Sequence, residues 1–300
     1  MNPLPQQFQA VIGISLTESS KTAYSNALKS FLGRFDNPAK VKTADVLEWI
    51  QSEISAGNSN STVRFKLGVI QRFYRWLVDE GHVKHAPKFH TLPKLPKAKP
   101  AKVPFTEEQF RRVLNVCEMD NHPDYLRAAC VVGWHTGLRL SDICLLQRSA
   151  INFDDGIIRL VAQKKKRFNE AIEIPISEEL RTVLLAELNS IPATLSTCVF
   201  PVLEELYTRR RTTLEEQFRR LFDAAALPNH SFHSWRHAFV SRLLNRGVSH
   251  LIIMQITGHS AQQIATYSHV SMDAKRQAMG ISFDATSKFD NQPNQMKAAI

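Results

Sequence analysis

The chain has 300 residues, 43% of them hydrophobic, enough to bury more than one core, and the length favours about two domains. No run approaches the roughly 18 uninterrupted apolar residues of a membrane span, and the polar start MNPLPQQFQ lacks the basic-then-apolar order of a signal peptide, so a cytoplasmic protein with no membrane attachment is expected. The formal net charge of +10 suits a polyanionic partner, and the excess sits in the first third, where residues 1–104 carry 15 Lys and Arg against 7 Asp and Glu.

Taken in chain order, residues 18–35 place Tyr24, Leu28, Phe31, Leu32 and Phe35 at helical spacing. Thr43 is a candidate cap for a shorter helix through Trp49, Ile50 and Ile54. Residues 61–79 repeat the amphipathic pattern with Val63, Leu67, Ile70, Tyr74 and Leu77, and Gly81 offers a stop. Residues 1–86 therefore read as a small all-helical domain. Arg64, Lys66, Arg72 and Arg75 lie on the other face of its last long helix, either along a DNA groove or as a solvated surface. Composition alone leans to the solvated surface.

The stretch from His85 to Pro104 holds five prolines, five lysines and no acidic residue, a composition that resists helix and sheet. Residues 87–104 read as an interdomain linker. Lys94, Lys97 and Lys99 within it cross a phosphate backbone if the two domains clamp DNA; otherwise the stretch is a solubilising tether.

A second domain, 105–279, opens on a Thr106–Gln109 capping box before Phe110, Val113, Leu114 and Cys117. Residues 150–153, 157–163 and 171–176, with a turn at Asp154-Asp155-Gly156, read as a short antiparallel sheet. Helices follow: one capped by Ser177, one over 214–221, one over 234–245 ended by Gly247, and short ones from Ser249 and Ala261. Residues 280–300 have weak periodicity and read as a tail. The four cysteines, Cys117, Cys130, Cys144 and Cys198, include no CxxC pair and are expected to be reduced core residues rather than a disulfide framework or zinc site.

Four pieces of the second domain stand out chemically. In TGLRLSDICLL, Gly137 permits a tight bend before Arg139, and Ser141 and Asp142 start a new helix; an ordinary surface arginine paired with Asp142 is the simpler account of that piece by itself. HSWRHAF puts His233 and Arg236 three apart on one face at a helix start, a placement suited to an anion because free backbone N–H groups add to the side-chain donors. A capping histidine beside a solvated arginine is the plain alternative. ITGHS carries His259 after a glycine, and ATYSHV carries Tyr267 eight residues later; either residue by itself would be structural.

In order and approximate spacing these pieces resemble the tyrosine recombinase, or phage integrase, family: Arg, then Lys in a β-hairpin, then His-x-x-Arg, Gly-His and Tyr. The resemblance covers nearly the whole chain except the tail. Two departures are a Gly-His to Tyr interval about one residue shorter than is common and Thr257 where leucine is usual. The resemblance implies a mainly α fold with a small antiparallel β-sheet, arranged as a two-domain clamp of a helical core-binding domain and an integrase-type catalytic domain. It implies a site-specific recombinase that breaks and rejoins duplex DNA through a 3′-phosphotyrosine on Tyr267 and a Holliday junction, with neither metal nor cofactor.

By the same resemblance Arg139, Arg236 and His259 hold the scissile phosphate, His233 takes the phenol proton, and a hairpin lysine, Lys164 or Lys165, protonates the leaving oxygen. Asp142 is expected to orient the arginines. Arginine suits the task because it keeps its proton at any working pH, and each contact to the transition state is worth about 3–4 kcal/mol. The implied partners are duplex DNA sites, a homotetramer assembled on DNA from free monomers with the tail docking on a neighbour, and accessory DNA-bending proteins. The start of the chain at the core-binding domain points to a Xer-like or mobile-element type without an arm-binding domain. A type IB topoisomerase-like relaxing enzyme and a catalytically inactive DNA-binding regulator of the same fold are the alternatives.

Overall fold

The computed structural model describes residues 3–35, 37–96, 104–120, 122–163, 171–192, 194–265 and 279. The chain divides into two compact units, Met1–Pro100 and Ala101–Ile300.

The first unit packs four helices, α1 (Leu4–Gly13), α2 (Glu18–Leu32), α3 (Thr43–Ser55) and α4 (Asn60–Asp79). Caps define their starts: the Thr17 and Ser59 hydroxyls accept the N–H groups of Ser20 and Thr62, each worth about 1 kcal/mol. The heptad-like apolar stripes of α2 and α4 meet over an aromatic core in which Phe31 meets Trp49 edge-on at 5.4 Å and Phe8 meets Phe73 at 5.3 Å. Truncating Phe31 or Trp49 to alanine would cost about 3–5 kcal/mol. Tyr74 is buried in the same core, and its hydroxyl donates to the Pro38 carbonyl at 3.0 Å.

Thr43 does not cap α3. It is the first helical residue after Lys42, whose backbone N–H donates to Asp45 Oδ2 at 2.7 Å. The Thr43 hydroxyl instead accepts the Lys88 N–H at 2.9 Å. That bond fastens the start of the Pro/Lys stretch to the first unit, where a 3-10 turn over Phe89–Thr91 packs Phe89 against Tyr74 and Leu92 and Leu95 join the same cluster. Proline and lysine content concealed these three apolar anchors.

The second unit is built around α6 (Asp124–Thr136), which follows α5 (Glu107–Met119). Nearly every residue of α6 from Leu126 onward is buried, so it has no polar face and no amphipathic period to read in the sequence. Thr106 and Gln109 form the capping box of α5, exchanging bonds of 3.2 and 2.9 Å. After α7 (Leu140–Cys144) come β1 (Ile151–Asn152), β2 (Ile157–Val161) and β3 (Ala171–Pro175), an antiparallel sheet in the order β1-β2-β3. Ile158 pairs with Ile174 and Leu160 with Ile172, with Ile158, Ile172 and Ile174 buried, while Arg159 and Glu173 pair outward at 2.5 Å. This is the period-2 alternation of a half-buried sheet.

The remaining helices are α8 (Glu178–Ser190), α9 (Pro201–Arg209), α10 (Arg211–Ala224), α11 (His233–Asn245), α12 (His250–Thr257) and α13 (Ala261–Ala265). Helix α11 lies against α6 where Gly133 leaves room: a Cβ there would sit 3.2 Å from both Phe232 and Trp235. Trp235 is sandwiched into the core, stacked on Phe105 at 3.6 Å. All four cysteines are free and buried, and burial raises the thiol pKa of each. The fold is mainly helical with one small antiparallel sheet, as the sequence implied.

Candidate active site

The α6–α7 junction is shaped by Gly137, which ends α6 in the left-handed conformation at φ +64°. Its neighbour Thr136 donates its hydroxyl proton to the Val132 carbonyl and accepts the Leu138 N–H. This turn delivers Arg139 as the residue before α7, with its side chain mostly buried. Asp142, one turn on, is 2% exposed. Its Oδ1 accepts the Gln163 N–H at 2.8 Å, and its Oδ2 lies 3.7 Å from Arg139 Nη1. Arg139 is thus paired with Asp142 but is no surface arginine, and the same carboxylate ties down the chain just before the hairpin lysines.

Arg236 is 1% exposed, which removes the solvated-arginine alternative. Its guanidinium donates through Nη1 to the Gly137 carbonyl at 2.8 Å, through Nη2 to the Thr257 carbonyl at 2.6 Å and through Nε to His259 Nε2 at 3.0 Å. Residues 99 positions apart in sequence are so joined. His259 is itself 5% exposed and follows Gly258, the left-handed C-cap of α12 at φ +64°. Burial, then the charges of Arg236 and Arg139 and the nearby His233 and His237, push its pKa down to about 3, so the ring is neutral at pH 7.

His233 is exposed as the first residue of α11, its ring meeting that of His237 at 4.9 Å. One expectation fails here. The N–H groups of Ser234 and Trp235 already donate to the Ser231 and Phe232 carbonyls in a tight first turn, so they are not free for an anion.

Arg64, Arg72 and Arg75 are exposed on α4, but Lys66 departs from that group. At 100° per residue it stands about 200° around the helix from Arg64, and its ammonium pairs with Glu53 Oε2 at 2.5 Å. Glu53 is 8% exposed and also accepts from Asn58 and Ser30. Burial pushes its carboxyl pKa up, but the bonds from Lys66 and Ser30 outweigh that and hold it below the ordinary value. Lys66 is therefore engaged inside the unit. Lys94 is exposed; Lys97, Lys99, Lys164, Lys165 and Tyr267 lie outside the described residues. Among the described residues, no group of three or more His, Cys, Asp or Glu is placed to hold a metal ion, and no helix is long and apolar enough to cross a membrane.

Sequence reasoning missed Thr257 as part of this cluster and Glu53 as the partner of Lys66. The departure of Thr257 from the family's leucine was the available signal for the first; nothing local marked the second.

Two family models match the chain: "Phage integrase family" over residues 104–274 and "Phage integrase, N-terminal SAM-like domain" over residues 8–81. The chain belongs to the phage integrase family, the tyrosine recombinases. Relatives of this phage integrase include Tyrosine recombinase XerC of Thermodesulfovibrio yellowstonii, 26% identical over 266 residues, covering 85% of this chain and 87% of that protein. Tyrosine recombinase XerD of Pseudomonas aeruginosa is 26% identical over 289 residues, covering 90% and 93%. Among solved structures, the Tn1549 transposon integrase in complex with a circular intermediate DNA superposes with a TM-score of 0.73 at 18% identity, covering 92% of this chain and 98% of that one. A λ integrase dimer bound to a COC′ core site gives 0.70 at 18%, covering 86% and 94%. At these identities the structural likeness speaks for the fold of the phage integrase.

Proposed function

We infer that this phage integrase is a site-specific DNA recombinase that cleaves and rejoins duplex DNA through a 3′-phosphotyrosine at Tyr267. The observation that carries the reading is the convergence of Arg139, Arg236 and His259, drawn from three separate segments, through the Gly137 turn and the bonds of Arg236. Two permanent cations and an imidazole suit a scissile phosphodiester, whose displacement builds charge on the non-bridging oxygens.

In the forward step the Tyr267 phenol oxygen attacks phosphorus while the bond to the 5′-oxygen breaks. His233, exposed at the start of α11, receives the phenol proton. Such a base is needed because a phenol with a pKa near 10 is only about one part in a thousand ionised at pH 7. Lys164 or Lys165 gives a proton to the departing 5′-oxygen. Asp142 holds Arg139 and, through Gln163, the base of the lysine hairpin. Because the phosphotyrosine keeps the energy of the broken bond, a 5′-hydroxyl from a second duplex reverses the step without ATP.

The same reading places four protomers on two duplex sites, exchanging strands through a Holliday junction. The XerC and XerD relatives and the DNA complexes of the Tn1549 and λ integrases support DNA as the substrate. The test selects binding duplexes from a random-sequence pool, nicks and end-labels them, and looks for a protein–DNA adduct that survives denaturation. Wild type should form it and Tyr267→Phe should not; an adduct with the Phe variant removes Tyr267 as nucleophile.

A further inference from the structure

Thr257 is a polar side chain buried at the end of α12, 1% exposed. Its hydroxyl has one proton and two lone pairs. The proton goes to the Ile253 carbonyl, 2.5 Å away, the one acceptor in reach that cannot donate in return. The lone pairs then face two groups of His259: the backbone N–H at 3.4 Å and ring Nδ1 at 2.8 Å. With its proton spent, Oγ1 can only accept from Nδ1, so Nδ1 must carry the hydrogen.

The other side of the ring agrees independently. Arg236 Nε–H points at His259 Nε2 across 3.0 Å, and a guanidinium nitrogen never accepts. A hydrogen on Nε2 would set two donors face to face. Arg236 Nη2, one of whose hydrogens goes to the Thr257 carbonyl at 2.6 Å, also lies 3.2 Å from Nδ1, a contact that would suit the opposite tautomer but is longer than the 2.8 Å from Nδ1 to Thr257 Oγ1. A contact at each ring nitrogen, 2.8 Å at Nδ1 and 3.0 Å at Nε2, thus favours the same tautomer, and both are shorter than the 3.2 Å contact that would suit the other.

We propose that Thr257 is a positioning residue that holds His259 as the Nδ1–H tautomer, so that the Nε2 lone pair fixes the Nε–H of Arg236 and orients its guanidinium. Thr257 grips both partners at once: its hydroxyl sets the imidazole and its carbonyl holds Nη2. The arrangement rests on the assignment of Arg236 and His259 to the active site made above. It has a consequence for the chemistry: Nε2 can donate to a phosphate oxygen only after taking up a proton, which an arriving anion favours.

The test uses the full chain labelled with 15N-histidine, at pH 7 and without DNA, with the His259 signals identified by their loss in His259→Gln. Wild type and Thr257→Ser should show a protonated Nδ1 and an unprotonated Nε2; Thr257→Val, which keeps the shape and removes the hydroxyl that accepts from Nδ1, should lower the Nδ1–H population measurably while the Arg236 Nε–H still opposes Nε2–H. A wild-type ring protonated on Nε2, or a Val variant with an unchanged pattern, overturns the proposal. In the adduct assay the Val variant should slow by about tenfold, the equivalent of one lost hydrogen bond, and Ser should restore the rate; an unchanged rate in Val overturns the link to catalysis. Because the tautomer is read without DNA, a wild type that forms no adduct would remove the recombinase assignment while leaving the tautomer result to stand or fall separately.

Discussion

Gly137 is the residue on which the site's geometry turns. It sits at φ +64°, and a Cβ there would come within 2.6 Å of the Phe239 ring. Its carbonyl is also an acceptor for Arg236. Gly137→Ala combines left-handed strain with overpacking, together about 2–4 kcal/mol, and displaces the acceptor of a buried cation. We expect a lower denaturant midpoint together with loss of adduct formation; an alanine variant with the wild-type midpoint would contradict this. His259 gives a pH dependence at the same scale. Its folded pKa is pushed down to about 3, below the ordinary 6.5, so the unfolded chain binds an extra proton between those values. Stability due to the neutral ring is present above pH 6.5 and is lost as pH falls toward 3, by up to about 1.4 kcal/mol per unit. His135 and His230 are also shifted down, chiefly by burial, and share the slope. Urea denaturation at pH 7 and pH 5 should therefore show a smaller acid loss in His259→Gln than in wild type, and equal losses would count against the assignment.

At the scale of elements, α4 separates two kinds of basic residue that the sequence grouped together. Arg64, Arg72 and Arg75 share an exposed stripe, whereas Lys66 is turned inward to Glu53. If the stripe meets phosphates, removing each arginine should lower the slope of log binding constant against log salt by about 0.9. Lys66→Ala should leave the slope alone and instead destabilise the first unit by about 1–3 kcal/mol, because Glu53 keeps its burial and loses a donor. A salt titration beside a denaturation curve separates the two; a Lys66 variant that changes only the slope would reverse the assignment. Other elements show what periodicity can carry. Helices α2, α4 and α5 were legible because one face is wet. Helix α6 showed an apolar, helical-looking run around Cys130 but no period, since burial on nearly all sides erases it, and α1 offered only Phe8 and Ile12 as buried anchors. The sheet was legible from its Asp-Gly turn and alternating strands, while its register came only from the structure.

For the whole molecule, the two units own separate cores. Phe8, Phe31, Trp49 and Tyr74 belong to one cluster and Phe105, Phe110, Trp134 and Trp235 to another, with no shared member among the described residues. Residues 1–100, produced alone, should unfold cooperatively, since their aromatic core closes without help; a non-cooperative melt followed by circular dichroism would show dependence on the rest of the chain.

By itself the sequence determined the residue types that can do the chemistry, their order, the caps at Thr106 and Ser177 and the hairpin, because these signals act over a few residues or recur at a fixed period. It could not decide which basic residues face outward. Arg236 and Lys66 are equally charged in the sequence, and only packing made one a buried hub and the other the partner of an acid. Tertiary structure alone brought Gly137, Arg236, Thr257 and His259 into one set of hydrogen bonds, since the acceptors of Arg236 lie 21 to 99 positions away from it. Burial then made those bonds obligatory, because a charged or polar group removed from water must find its partners inside the protein.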